Sequence, residues 1–193
     1  HTSRDLEVLV TSHLNDYSSR EVVEEGWNLT LNASDALGVA GGDFVTISIK
    51  DNASESFVYG EDEIDHPNPM QSDFIDMHIN RFDWVGTKDS HGVMVESPYF
   101  SSDVRSFSEV EDFLAWDISA DAYNVQGDVT LTWNMTDEID SDVNLIVAGE
   151  AYDLKEFTSI DVPTTSLDDM VLIVGNLESY YGTPEEFGLS SAY

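Results

Sequence analysis

Apolar residues in this chain recur at every second position, and that spacing constrains the fold more than any other feature of the sequence. Trp27, Leu29 and Leu31 alternate with Asn28, Thr30 and Asn32, so one side of the segment is apolar and the other polar. Leu6, Val8 and Val10 follow the same rule, as do Val45, Ile47 and Ile49, then Ile75, Met77 and Ile79, and Val129, Leu131, Trp133 and Met135. Shorter or more continuous runs stand at 57–59, 93–95, 143–148, 158–162, 170–174 and 187–191. Together they predict about eleven strands separated by Gly, Asn, Asp and Pro clusters. The expected class is all-β, an antiparallel β-sandwich or jelly roll with one short helix.

That helix is expected at 108–116, where Ser108 and Glu111 form a capping box and Val110, Phe113 and Leu114 stand at helical spacing. The stretch 61–70, acidic and then carrying Pro67 and Pro69, reads as an exposed loop, and Gly38, Gly41 and Gly42 mark a turn before the third strand. No internal repeat and no Gly/Ser linker divides the chain. Residues 1–193 are therefore read as a single domain, with a split near Gly127 as the alternative.

Charge separates this chain from ordinary β proteins. It carries 39 Asp and Glu against 7 Lys and Arg, a formal net charge of −32 over 193 residues. Such a balance excludes direct nucleic-acid binding, which needs cations to displace counter-ions from phosphates. No run of 18 apolar residues predicts a transmembrane helix. Cysteine is absent, which excludes disulfides, thiolate metal sites and thiol nucleophiles. The 9 Phe, 8 Tyr and 4 Trp, with the alternation, argue against acidic disorder. A compact body with this much like charge is strained in dilute buffer, whereas at molar salt the Debye length falls to about 3 Å. The expected source is halophilic, and the chain is expected to unfold or aggregate below about half-molar salt.

Motifs for catalysis are missing. No Gly-x-Ser-x-Gly elbow and no Gly-rich phosphate loop with its Lys occurs, and with so many carboxylates a pair of acids at any spacing carries no weight. No enzyme activity is expected. Asp140, Asp142 and Asn144, beside Asp137 and Glu138, open like an EF-hand loop. The match fails at Leu145, where Gly is needed, and at Ala151, where a bidentate Glu belongs. A cation site of another kind there is one reading and a hydrated acidic turn the other. No cofactor is expected beyond monovalent or divalent cations drawn from solvent. Asp76, His78 and His91 are a weaker set for zinc. Asn28, Asn32, Asn52 and Asn134 begin Asn-x-Ser/Thr sequons, glycosylation sites if the chain is exposed at a cell surface.

Two resemblances follow from these residues. Val129-Thr130-Leu131-Thr132-Trp133, then 140–145, 171–174 and Phe187-Gly188-Leu189, resemble the strand order of prepeptidase C-terminal domains, small β-sandwiches appended to secreted hydrolases. Size, acidity and all-strand layout are similar to the jelly-roll coat proteins of haloarchaeal icosahedral viruses. The latter implies a structural subunit whose partner is itself or a related subunit in a large oligomer, placed in a virion or on the outer surface of a halophilic archaeon. The alternative is a secreted or cell-surface binding module for carbohydrate or a cation, with Trp84, Tyr99, Phe100 and Trp116 as its aromatic stripe. In the assembly reading the segment 64–99 is expected at the subunit contact, through Phe74, Phe82, Trp84 and Tyr99.

Overall fold

The computed structural model describes residues 26–66, 73–89, 91–107, 112–136 and 139–182. Strands expected at 6–10 and 187–191 lie outside these residues, as do Ser108, Val110, Glu111, Asp137 and Glu138. Eleven strands are present among the described residues: β1 (Gly26–Asp35), β2 (Asp43–Lys50), β3 (Glu63–Ile64), β4 (Phe74–Asn80), β5 (Tyr99–Arg105), β6 (Phe113–Tyr123), β7 (Asp128–Met135), β8 (Val143–Val147), β9 (Glu150–Asp153), β10 (Ser159–Pro163) and β11 (Met170–Gly175). They form one sheet in the order β10-β7-β1-β2-β5-β4-β6-β11-β8-β9, with β3 added on β5. The pairings are antiparallel except β2 with β5. The sheet curls into a half-barrel, so the fold is all-β with a sandwich-like interior.

Curling follows from the alternation. β1 and β10 bury every second residue along their length and β7 does so over its first half, and a sheet of this width encloses such residues by bending around them. Leu29 and Leu31, Val45 and Ile47, Ile75, Met77 and Ile79, Leu131, Leu145 and Leu172 meet in one continuous core, all completely buried. Strands from both sides of Gly127 interleave, since β7 pairs with β1 and β11 with β6.

β11 is buried on both faces. Met170, Leu172 and Val174 enter the main core, while Val171 and Ile173 join Ala115, Ile146 and Tyr180 in a second cluster on the outer face. The cover there is α1 (Leu177–Gly182), a short helix absent from the sequence expectation. Asn176 caps it, its Oδ1 accepting from the amides of Glu178 (2.9 Å) and Ser179 (3.1 Å). Tyr180 meets Phe113 edge to face at 5.5 Å.

Three expectations are corrected. The helix expected at 108–116 gives way, over its described part, to β6: Leu114, Trp116, Ile118 and Ala120 alternate into the core, and this longer period-two pattern outweighs one turn of helical spacing. The runs 57–59 and 93–95 are not strands. Phe57 and Val95 are buried, but only single bridges, Tyr59 to Asp62 and Lys88 to Met94, form there. Within the expected loop 61–70, Glu63 and Ile64 pair with β5.

The expected glycine turn does join β1 to β2. A Cβ at Gly42 would lie 2.5 Å from the carbonyl oxygen of Ala33, so only glycine permits the two strands to close there.

Candidate functional site

The convex surface of the sheet is divided by charge. On β4 and β6 the outward residues include three carboxylates, Asp76, Asp117 and Asp121, among Phe74, His78, Asn80, Ser119 and Tyr123, and Asp76 lies directly opposite Asp121, a cross-strand arrangement that like charges disfavour. His78 is buried between the Tyr99 ring, 4.1 Å away, and Ser119 Oγ, 2.9 Å from its Nε2. Burial lowers its pKa against the opposing pull of Asp121, Asp76, Asp43 and Asp168.

On β2, β1 and β7 the outward residues are of another kind. The strand register sets Ser48 beside Asn28, Thr30 between Thr46 and Asn134, Asn32 between Phe44 and Thr132, and Ser34 beside Thr130. None of these residues is charged. Among the described residues, charges flank the lattice only at its margins, with Lys50 at the end of β2, Asp128 at the start of β7 and Asp161 on the edge strand β10. Hydrogen bonds hold the side chains flat. Ser48 Oγ donates to Asn28 Oδ1 at 2.5 Å, Asn32 Nδ2 to the Thr132 carbonyl at 3.5 Å, and Thr130 Oγ1 to Asp161 Oδ1 at 2.6 Å.

Three of the four sequons fall on this face. The Asn and the Ser or Thr of a sequon stand two residues apart, as do successive residues on one face of a strand, so Asn28 with Thr30, Asn32 with Ser34 and Asn134 with Thr136 each point outward together. Asn52 lies apart, exposed in the turn after β2 with φ 63°.

The open edges offer no comparable surface. β10 carries exposed Asp161 and Pro163, and β9 begins with exposed Glu150, both ordinary guards against edge pairing.

The residues expected at a contact are split by the structure. Phe82 and Tyr99 are exposed and approach at 6.4 Å, and half-buried Phe74 stacks on Tyr123 at 4.4 Å. Trp84 is a correction: it is 3% exposed, packs edge to face on Phe100 at 5.0 Å, and donates from Nε1 to the Glu55 carbonyl. The aromatic stripe is corrected as well. Phe100 and Trp116 are completely buried, which leaves Tyr99 alone of the four at the surface.

Asp140 and Asp142 are exposed and Asn144 is buried on β8, and among the described residues no three His, Asp or Glu converge to hold a metal. His91 turns to Asp89 at 3.3 Å, away from the zinc set considered above.

One ionic group escaped the sequence reading. Asp103 is completely buried on β5, and its Oδ2 accepts from Arg81 Nη1 (2.9 Å), Arg105 Nη2 (2.9 Å) and Arg105 Nε (3.1 Å). Arg81 also grips Asp83 and lies 3.5 Å over the Trp84 ring, and Arg105 Nη1 donates to the Ala115 carbonyl on β6. These arginines tie β5, β6 and the segment after β4 together. Nearby, Asp62 lines a cavity of about 380 Å³ with Phe57, Tyr59, Ile64, His66 and Ser102. Burial pushes the Asp62 carboxyl up to about 6, although its oxygens accept from the amides of Val58 and Val104.

Comparison with protein-family models, with curated proteins and with solved structures finds no match for this chain.

Proposed function

We propose that this chain is a non-catalytic structural subunit of a multi-copy assembly in concentrated salt, a coat or surface-layer component whose partner is another copy of itself. The uncharged face of β2, β1 and β7 carries the reading. Two bodies of charge −32 repel wherever carboxylates meet, and burying a carboxylate against another is costlier still. An uncharged lattice of Thr, Asn and Ser lets them touch without either penalty. Acid on both edge strands directs association to this face. Molar salt favours the contact further by screening the remaining charge and strengthening apolar burial.

The test places charge where none stands. Thr30 and Thr132 are half-buried on β1 and β7, with side chains toward solvent, so Thr30→Asp with Thr132→Asp leaves the core untouched. In about 3 M NaCl, sedimentation of the native chain is expected to show dimers or larger species, and that of the double variant monomers with an unchanged melting temperature. A native chain that stays monomeric at every salt concentration overturns the proposal. The reading as a carbohydrate-binding module retains only the exposed Phe82 and Tyr99 pair, and glycan binding lost in Tyr99→Ala would favour it.

A further inference from the structure

The lattice alone is small for a stable contact. Three strands at about 4.8 Å spacing and four outward rows at about 6.8 Å give roughly 400 Å². A standard interface covers about 800 Å² on each partner and is centred on apolar anchors rather than hydroxyls. The missing apolar element stands at the end of two of these strands, β1 and β2.

The 36–42 loop joins β1 to β2 and reads Ala-Leu-Gly-Val-Ala-Gly-Gly, seven residues without a charge or a polar side chain in a chain of net charge −32. Leu37 is 68% exposed and Val39 75%, the two most exposed large apolar residues among those described. Phe44, at the lattice margin beside the loop, is 54% exposed.

Exposure here is not looseness. Asp35, itself buried, accepts through Oδ1 from the Leu37 amide (3.0 Å) and through Oδ2 from the amides of Val39 (2.9 Å) and Ala40 (3.0 Å). The bonds from Ala40, Leu37 and Val39 hold the Asp35 carboxyl below the ordinary carboxylate range. Gly38, at φ 69°, makes the bend between the two aliphatic residues. On the far side Asp43 Oδ2 accepts from the Met77 amide at 2.9 Å, and the Gly41 amide donates to the Asp73 carbonyl at 3.1 Å. The carboxylates flanking the loop on both sides are thus occupied by its own framework. A loop fixed in this way presents its apolar side chains without the ordering entropy that a flexible loop loses on binding.

We infer that the 36–42 loop is the anchor of self-association, Leu37 and Val39 packing with Phe44 against the same three residues of a second copy. This rests on the assembly reading and names its centre: the loop supplies the apolar core of the contact and the Thr/Asn lattice its polar rim. A second copy suits the loop because the patch is uncharged, continuous with the lattice through β1 and β2, and self-complementary about a two-fold axis.

The experiment uses Leu37→Ser with Val39→Ser, two exposed positions whose change leaves the Asp35 bonds in place. In about 3 M NaCl the concentration at half-association is expected to rise at least tenfold, with the melting temperature unchanged. A second readout exploits the absence of cysteine. Val39→Cys is expected to form an intermolecular disulfide under mild oxidation in about 3 M salt, whereas Asp121→Cys, on the acidic half, is not. If the native chain associates and the serine variant associates equally well, the loop is not the anchor, although the assembly reading stands. If the native chain never associates, both fail. Flotation of monomeric native chain, but not the serine variant, with phosphatidylcholine vesicles assigns the loop to a lipid surface and also overturns the inference.

Discussion

Asp103 illustrates what individual residues decide in this molecule. Its completely buried carboxylate is compensated by two guanidinium groups, each in turn held elsewhere: Arg81 by Asp83 and the Trp84 ring, Arg105 by the Ala115 carbonyl. A buried ion group like this adds little over an apolar replacement of the same shape, but breaking it leaves charge stranded away from water. Asp103→Ala is therefore expected to destabilise the fold by about 3–5 kcal/mol in urea unfolding at constant salt. Replacing Asp103 by Leu together with Arg81 and Arg105 by Met is expected to cost far less. Equal losses for the single and triple variants would show that the guanidinium groups matter for their shape rather than their charge. Arg81→Lys loses the fork that reaches two carboxylates at once, and falls with the single variant rather than the triple.

Among the elements, the β8–β9 hairpin is closed by Ala148 at φ 49° and Gly149 at φ 82°. Both central residues are left-handed, the type I′ geometry that matches strand twist, and alanine is a poor occupant of the first position. Ala148→Asn keeps the amide that donates to the Asp169 carbonyl and is expected to add about 0.5–1 kcal/mol, raising the melting temperature by about 1–4 °C. No gain in a melting scan would show that the turn is held by its strands rather than by its own residues. Strands carrying an apolar stripe or a continuous apolar run were legible in the sequence: β1, β2, β4, β7, β8, β10 and β11 were all expected near their observed places. β5 was not, because the alternate residues Ser101, Asp103 and Arg105 are polar yet shielded, so burial there leaves no apolar stripe. Phe57 and Val95 were misread for the opposite reason, since apolar spacing reports burial and not a ladder. The sequons were visible as motifs but not as a face. Only the pairing of Thr30 with Asn134, far apart in the chain, makes them one surface.

Among the described residues of the molecule charge is unevenly placed, with Asp76, Asp117 and Asp121 crowded on the β4–β6 side and the β1–β7 side neutral, and stability is expected to depend on how that crowding is screened. Salt shortens the reach of each carboxylate, so the melting temperature is expected to be about 10 °C or more lower in about 0.2 M than in about 3 M NaCl. Acid is expected to restore part of the loss. Burial holds the carboxyls of Asp62 and Asp65 at about 6, the latter with help from Asp76 and Asp43, against 3.8 for an ordinary aspartate. Between those values the folded chain keeps protons that the unfolded chain has released, so stability falls as pH rises through the window and is recovered as pH falls. His78 works the other way, because a lowered imidazole pKa favours folding less as pH drops below 6.5. Three raised carboxyls, Asp62, Asp65 and, through its own burial, Asp117, stand against one imidazole, so in about 0.2 M salt the chain is expected to melt higher at pH 5 than at pH 7, with the difference reduced in Asp65→Asn. The pH difference should also narrow in about 3 M salt, where repulsion from Asp76 and Asp43 is screened while the burial of Asp62 and Asp65 is not. A melting temperature indifferent to salt at pH 7 would mean that the crowded side is balanced by internal contacts alone, and the requirement for brine would then have no physical basis.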